Sequence, residues 1–271
     1  MEDVKEKLRR ILSDLPHIRE ITNNGSILNK LAFDPYNCGF YSDLESDGEL
    51  TLAGVLHHST TNYQFHCMVN QLEEWLELYP KYFTKKFGKK LAKNFFDYYS
   101  EIETYHQLHS HGCDPQIEPV IGLGHKRLDF KISIHSRDFF IEVITLRSSA
   151  RATSQFIDGY AGFYNPDIGT TREYDTRSRL EIKIEEEIEH HFHNLPNSFH
   201  DPVILIANCS YCIFEIGDPD SRLRINQPAY FHGLLCYNIS PENCRNYFSD
   251  FYVNPRYSLS SLEREFFREL F

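Results

Sequence analysis

The run Leu128-Asp129-Phe130-Lys131-Ile132-Ser133-Ile134, followed after His135-Ser136-Arg137-Asp138 by Phe139-Phe140-Ile141-Glu142-Val143-Ile144, decides how this chain folds. Strict alternation sets Leu128, Phe130, Ile132 and Ile134 on one face of a strand and Asp129, Lys131 and Ser133 on the other. The second run is apolar on both faces yet carries Glu142 in its middle, where a carboxylate without a partner is costly to desolvate. If the tight His-Ser-Arg turn makes the two runs an antiparallel hairpin, opposite residues have numbers summing to about 271 or 273. Asp129, Lys131 and Glu142 then share a face. Two carboxylates on neighbouring strands with a lysine beside them can bind a hard divalent cation through oxygen ligands, and the metal can activate water and stabilise a phosphorane-like transition state. The competing reading of the same residues is a structural ion-pair network that includes Lys131 and Arg127.

Upstream, Leu91, Phe95, Tyr98, Ile102 and Tyr105 mark an amphipathic helix from Leu91 to about Gly112, where a left-handed cap is cheap. Short strands are expected at Gln116 to Ile121, Arg127 to His135 and Asp138 to Leu146. Downstream, a connector from Ser148 to Thr171 leads to a charged helix from Arg172 to about His193. Then comes the continuous apolar run that begins at Pro202-Val203-Ile204, suited to a buried strand. The order is α-β-β-β-α-β. Tyr211 to Ile216 and Tyr230 to Ile239 are expected to extend the sheet, with helices at Pro241 to Phe251 and Leu259 to Phe271.

Residues 1–90 read as a mainly helical region and 91–271 as the core with a C-terminal helical extension. Val4, Leu8, Ile11, Leu12 and Leu15 recur at helical spacing, as do Val69, Leu72, Trp75, Leu76 and Tyr79, and Pro80 closes the second helix. The stretch Leu50 to Val55 fits a short strand or a helix start equally well. After Pro80, six lysines (Lys81, Lys85, Lys86, Lys89, Lys90, Lys93) run without an acidic residue between them. Removing their charge from a net −11 leaves −17 on the rest of the chain, so this patch is the best candidate for phosphate contact. A solvated helix face is the plainer reading.

With 271 residues, the chain is long enough for one elaborated domain or two. Hydrophobic residues at 41% and aromatics at 14% exclude disordered and collagen-like classes. No apolar run approaches the ~18 residues of a membrane span, and Met1 to Arg10 is charged helix-forming sequence rather than a signal peptide, so a cytoplasmic location without membrane partners is expected. Seven scattered cysteines read as reduced thiols. Cys209-x-x-Cys212, His190-His191-x-His193 and Cys113 near His109 and His111 match no paired zinc spacing. Gly122-x-Gly124 lacks the third glycine and the strand–helix setting of a dinucleotide fingerprint, and neither a Walker-type loop nor a Gly-x-Ser-x-Gly elbow occurs.

From Ser100-Glu101-Ile102-Glu103 through Gly112, Ile117-Glu118-Pro119, Leu128-Asp129-Phe130 and Phe140-Ile141-Glu142-Val143, the sequence resembles the PD-(D/E)XK nuclease superfamily. The likeness continues to the helix around Lys183 and the strand Val203 to Ala207, covering about residues 90 to 210. It implies an α/β (α+β) restriction-endonuclease-like core, a central mixed sheet flanked by helices. It also implies Mg²⁺ or Mn²⁺ held by Asp129, Glu142, the Val143 carbonyl and Glu101, which is preferred to Glu103. The implied activity is hydrolysis of nucleic-acid phosphodiesters, with DNA as the expected substrate. The superfamily's lysine, two residues after the acidic ligand, is replaced here by Ile144. Some members place that lysine elsewhere, which leaves Lys131 on the Asp129 face and Lys183, on the stripe with Leu180, Ile184 and Glu187, to assist the water. Lys85, Lys86, Lys89, Lys90, Arg177 and Arg179 would position phosphates, with Tyr160, Tyr164 and Tyr174 available for stacking. A catalytically inactive module that binds nucleic acid or a protein partner is the alternative that Ile144 and the acidic net charge suggest. A homodimer is a further expectation, because Phe266, Phe267 and Phe271 can form a subunit interface.

Overall fold

The computed structural model describes residues 4–27, 33–34, 39–40, 51–121, 126–147, 201–211, 231–240, 245–254 and 257–271. They form two compact units, one made mainly of residues up to Glu103 and the other beginning at Thr104. In chain order the helices are α1 (Val4–Ser13), α2 (Pro16–Ile21), α3 (Leu52–His58), α4 (Tyr63–Leu78), α5 (Lys85–Lys93), α6 (Phe95–Ser110) and α7 (Ser261–Arg268). The strands are β1 (Phe33–Asp34), β2 (Gly39–Phe40), β3 (Gln116–Ile117), β4 (Val120–Ile121), β5 (Lys126–Arg127), β6 (Phe130–Ile134), β7 (Arg137–Arg147), β8 (Val203–Tyr211), β9 (Gly233–Ser240) and β10 (Arg245–Val253).

The first unit is helical because its apolar residues recur at helical spacing. Leu8, Leu12 and Leu15 are buried while Arg9, Arg10, Ser13 and Asp14 face solvent. The undecided stretch after Leu50 is helix α3, opened by Thr51, whose hydroxyl accepts the Gly54 N–H. Asn62 caps α4 by accepting the N–H groups of Gln64 and Phe65. Leu15 gives α2 no side-chain cap, and Glu73 of α4 supplies one by accepting the His17 and Ile18 N–H groups at 2.7 and 2.9 Å. Gly88 lets α5 lie against α2, since a Cβ there would fall 2.2 Å from the Ile21 carbonyl oxygen. The helix expected from Leu91 starts at Phe95, because Asn94 (φ −120°, ψ 67°) ends α5. Gly112, at φ 82°, closes α6 while the Cys113 N–H returns to the Leu108 carbonyl at 3.0 Å.

The second unit holds a six-stranded mixed sheet in the order β10-β9-β8-β7-β6-β3, flanked by helices. β3 and β7 each run antiparallel to β6, and β8 runs parallel to both β7 and β9. The strand expected at Gln116 to Ile121 is split in two, because Glu118 takes a left-handed φ of 47° and Pro119 has no N–H to give a ladder. Its second half pairs with β5 in a separate ribbon. The helix expected at Pro241 to Phe251 is a correction: Arg245–Val253 is strand β10. Phe248 and Phe251 have helical spacing, but Tyr247, Tyr252 and Val253 are strand formers and β9 gives them a partner. The helix and connector expected between Ser148 and His193 lie outside the described residues.

β8 is buried without interruption from Val203 to Cys209, as its continuous apolar run requires. On one face of the sheet Phe267 of α7 meets Phe139 and Phe251 at ring distances of 5.5 and 5.2 Å, Phe271 stacks on Tyr237 at 3.7 Å, and Tyr105 of α6 meets Phe130 at 6.0 Å. The terminal aromatics that suggested a subunit interface therefore pack within their own unit. On the other face Phe140, Ile144, Val203, Leu205, Ala207, Cys209, Leu234 and Cys236 form a second apolar cluster. Each fully buried side chain of this size contributes roughly 1.5–3 kcal/mol, so the central strands are firmly held.

Candidate functional site

The hairpin takes the first of its two expected registers. Phe130 pairs with Ile141, Lys131 with Phe140 and Ile134 with Arg137, so opposite residue numbers sum to 271. The two-residue turn puts His135 and Ser136 at φ 50° and 66°, the mirror-image turn whose twist matches that of the flanking strands. Neither residue is the asparagine or glycine that adopts this backbone readily.

Asp129 stands one residue before β6. Continuing the register one step sets it opposite Glu142, where directly opposed Cβ atoms are roughly 4.5–5.5 Å apart. Asp129 Oδ2 accepts the Val143 N–H at 2.8 Å, and its main-chain carbonyl accepts the Glu118 N–H at 2.9 Å. The Asp129 carboxylate thus takes up a backbone donor where β6 leaves the ladder, which holds it against β7. Glu142 is 7% exposed. On its own face its strand neighbours are Phe140 and Ile144, and its partner on β8 is Leu205, all members of the apolar cluster. The structure therefore puts one carboxylate half-buried beside another that borders an apolar core.

Lys131 goes elsewhere. Its Nζ lies 2.6 Å from Asp138 Oδ2 and 5.6 Å from the centre of the Phe140 ring, and Ser133 donates to Asp138 Oδ1 at 2.6 Å. The hydrogen bond from Lys131, with the one from Ser133, holds the Asp138 carboxyl below its usual range. Asp138 lies on the turn side of Phe140 and Glu142 on the opposite side. Arg127, the other cation of the structural alternative, pairs with Glu118 at 2.7 Å. Ile144, at the position of the superfamily's lysine, is 3% exposed inside the apolar cluster.

Of the remaining expected site residues, Val143 contributes its N–H to Asp129, Glu101 is half-buried on α6, and Glu103 is more deeply buried at 6% exposure. Lys85, Lys86 and Lys89 are exposed on α5, while Lys90 is half-buried with its ammonium 5.0 Å from the Tyr98 ring. Lys183, Arg177, Arg179, Tyr160, Tyr164 and Tyr174 lie outside the described residues. Among the described residues, no three His, Cys, Asp or Glu side chains gather into a group able to hold a metal ion. Asp129 and Glu142 offer two oxygen-bearing side chains, and a hard cation on such a pair completes its coordination with water or substrate oxygens. Sequence reading missed Asp138 as the partner of Lys131. The usable signal was diagonal pairing across the hairpin, which offered Asp138 and Glu142 equally.

No protein-family model, curated protein or solved structure matches the chain. Among the described residues no helix is long and apolar enough to cross a membrane.

Proposed function

We propose that this protein is a metal-dependent nuclease of restriction-endonuclease-like topology, hydrolysing nucleic-acid phosphodiesters with Mg²⁺ or Mn²⁺ held at Asp129 and Glu142. The observation that carries the reading is the opposition of these two acids at the open end of the β6–β7 hairpin, with Glu142 buried. Two carboxylates brought close repel when both are ionised, and a divalent cation between them turns that repulsion into attraction. A helix, a three-strand meander and a strand parallel to its last member support the topology. In this reading the Val143 carbonyl joins the ligand set, Lys183 assists the water, and DNA is the substrate.

The lysine face of α5 supports a phosphate-binding role. Lys85 and Lys86 occupy its first turn, where the helix macrodipole disfavours positive charge. An anionic backbone relieves that cost.

A second reading, a catalytically inactive module that binds nucleic acid, is favoured by two specific observations. Ile144 is sealed in the apolar cluster, and Lys131 is engaged by Asp138. Cleavage of labelled single- and double-stranded DNA and RNA with Mg²⁺, Mn²⁺ or EDTA separates the two, run beside folded Asp129→Ala and Glu142→Ala proteins. Cleavage abolished by EDTA and by both substitutions is the expected result. Binding without cleavage by the well-folded wild type on every substrate would replace the nuclease with the binding module.

A further inference from the structure

A cleft of about 570 Å³ lies in the first unit, between the end of α1 and the turn that joins α3 to α4. Its volume falls within the roughly 300–1,000 Å³ typical of small-molecule sites. Leu15 and Val69 give it a buried apolar wall, and Asp14, Tyr63, His66 and Asn70 stand exposed along it. Asp14 brings the one formal negative charge, and among the described residues no lysine or arginine lines the cleft.

The turn has already spent its hydroxyl protons inside the fold. Ser59, Thr60 and Thr61, which all line the cleft, donate to the main-chain carbonyls of Leu56, His57 and His58 at 2.7, 3.2 and 3.2 Å. A hydroxyl used in this way meets a ligand only through its lone pairs, so three successive residues offer acceptors. His66 Nε2 lies 3.1 Å from Asn70 Nδ2, and an amide N–H needs an imidazole nitrogen without a proton, so this pairing holds the ring in its neutral form. Tyr63, the first residue of α4, is 64% exposed, and its ring lies 6.4 Å from that of His66 with the planes 28° apart. An uncovered tyrosine ring attracts a cation through its quadrupole.

We propose that this cleft binds a small organic cation whose ammonium or guanidinium group supplies the N–H donors. A carboxylate, a row of hydroxyl lone pairs and an open aromatic ring match that chemistry together, and the assignment is independent of the Asp129–Glu142 reading. Isothermal titration of the full chain at fixed ionic strength would use agmatine, spermidine and the neutral polyol inositol in turn. Asp14→Asn, Tyr63→Leu and Tyr63→Phe, all at exposed positions and checked by circular dichroism, would be run beside Glu20→Gln, an exposed acid outside the cleft. Saturable binding of at least one amine is expected, weakened about tenfold by Asp14→Asn and about threefold by Tyr63→Leu. Tyr63→Phe, which keeps the ring, and Glu20→Gln should retain the wild-type affinity. Absence of saturation with both amines overturns the proposal. So does an equal loss in Glu20→Gln, which would mean diffuse attraction to an acidic chain, or binding of inositol as tight as that of the amines.

Discussion

The two ends of the β6–β7 hairpin carry the same kinds of side chain in opposite electrostatic settings. At the turn end, Lys131, Ser133 and Asp138 form a compact, partly solvated cluster in which every charge meets its opposite or a hydroxyl. At the open end, continuing the register by one step sets Asp129 opposite Glu142, Asp129 accepts the Val143 N–H, and Glu142 borders an apolar cluster. Four register steps separate an acid–base pairing from a juxtaposition of two acids. Polar residues placed against folding preference are where a binding or catalytic role is to be sought.

The largest expected effect separates the ends by chemistry. If the open end holds the metal, Glu142→Gln lowers cleavage at least about a hundredfold, whereas Asp138→Asn at the turn end changes it less than about threefold. A calorimetric scan gives the same contrast without a substrate. Mg²⁺ at about a hundred times its dissociation constant adds about 2.7 kcal/mol, a rise of roughly 5–10 °C in Tm, to wild type and Asp138→Asn but not to Glu142→Gln. Equal shifts in all three proteins would remove the distinction between the ends.

Acid makes the next contrast. His232, just before β9, is buried and accepts the Val203 N–H on Nδ1 at 3.2 Å, so the fold requires its neutral form. Burial, with a contribution from Arg137, pushes its pKa down to about 4. The unfolded chain binds a proton near pH 6.5 and the folded one does not, so stability falls as pH drops from about 6.5 to 4. The loss is of the order of 2 kcal/mol after allowance for solvent screening. Asp138 behaves in the opposite order. Its folded pKa is lowered, so its contribution is complete above the ordinary carboxylate value and is lost progressively as pH falls from there through the depressed one. Urea midpoints measured between pH 7 and 3, with His232→Gln as the comparison, should show the first loss flattened and the second retained.

Smaller effects sharpen the turn end. Ser136→Gly places at φ 66° the residue that tolerates it best, and a gain of about 1 kcal/mol in urea unfolding is expected. Lys131→Gln should cost only about 0.5 kcal/mol, and the difference should shrink further in high salt, since the two side chains are 32% and 40% exposed. A cost of several kcal/mol would mean that Lys131 supports the open end as well.

Much of the architecture was legible because periodicity reports burial directly. Alternation at Leu128 to Ile134 and the unbroken apolar run from Val203 could serve only a one-sided and a two-sided strand. The helix expected at Pro241 to Phe251 failed for the converse reason. A short aromatic run satisfies both periods, and the available partner strand decided between them. At the site, face parity placed Asp129, Lys131 and Glu142 together, but parity does not choose between two diagonals. Right-handed strand twist makes the diagonals unequal in length, and Lys131 took Asp138.

The sequence by itself determined a helical N-terminal region, a hairpin in one of two registers and a common face for its two acids, because each follows from local spacing within one or two elements. Only the tertiary structure decided that the register sums to 271, that Ile144 is sealed in the apolar cluster and that α7 packs its aromatics onto the sheet. These outcomes depend on which surfaces meet across elements distant in the chain, and burial and charge are settled there rather than by any local pattern.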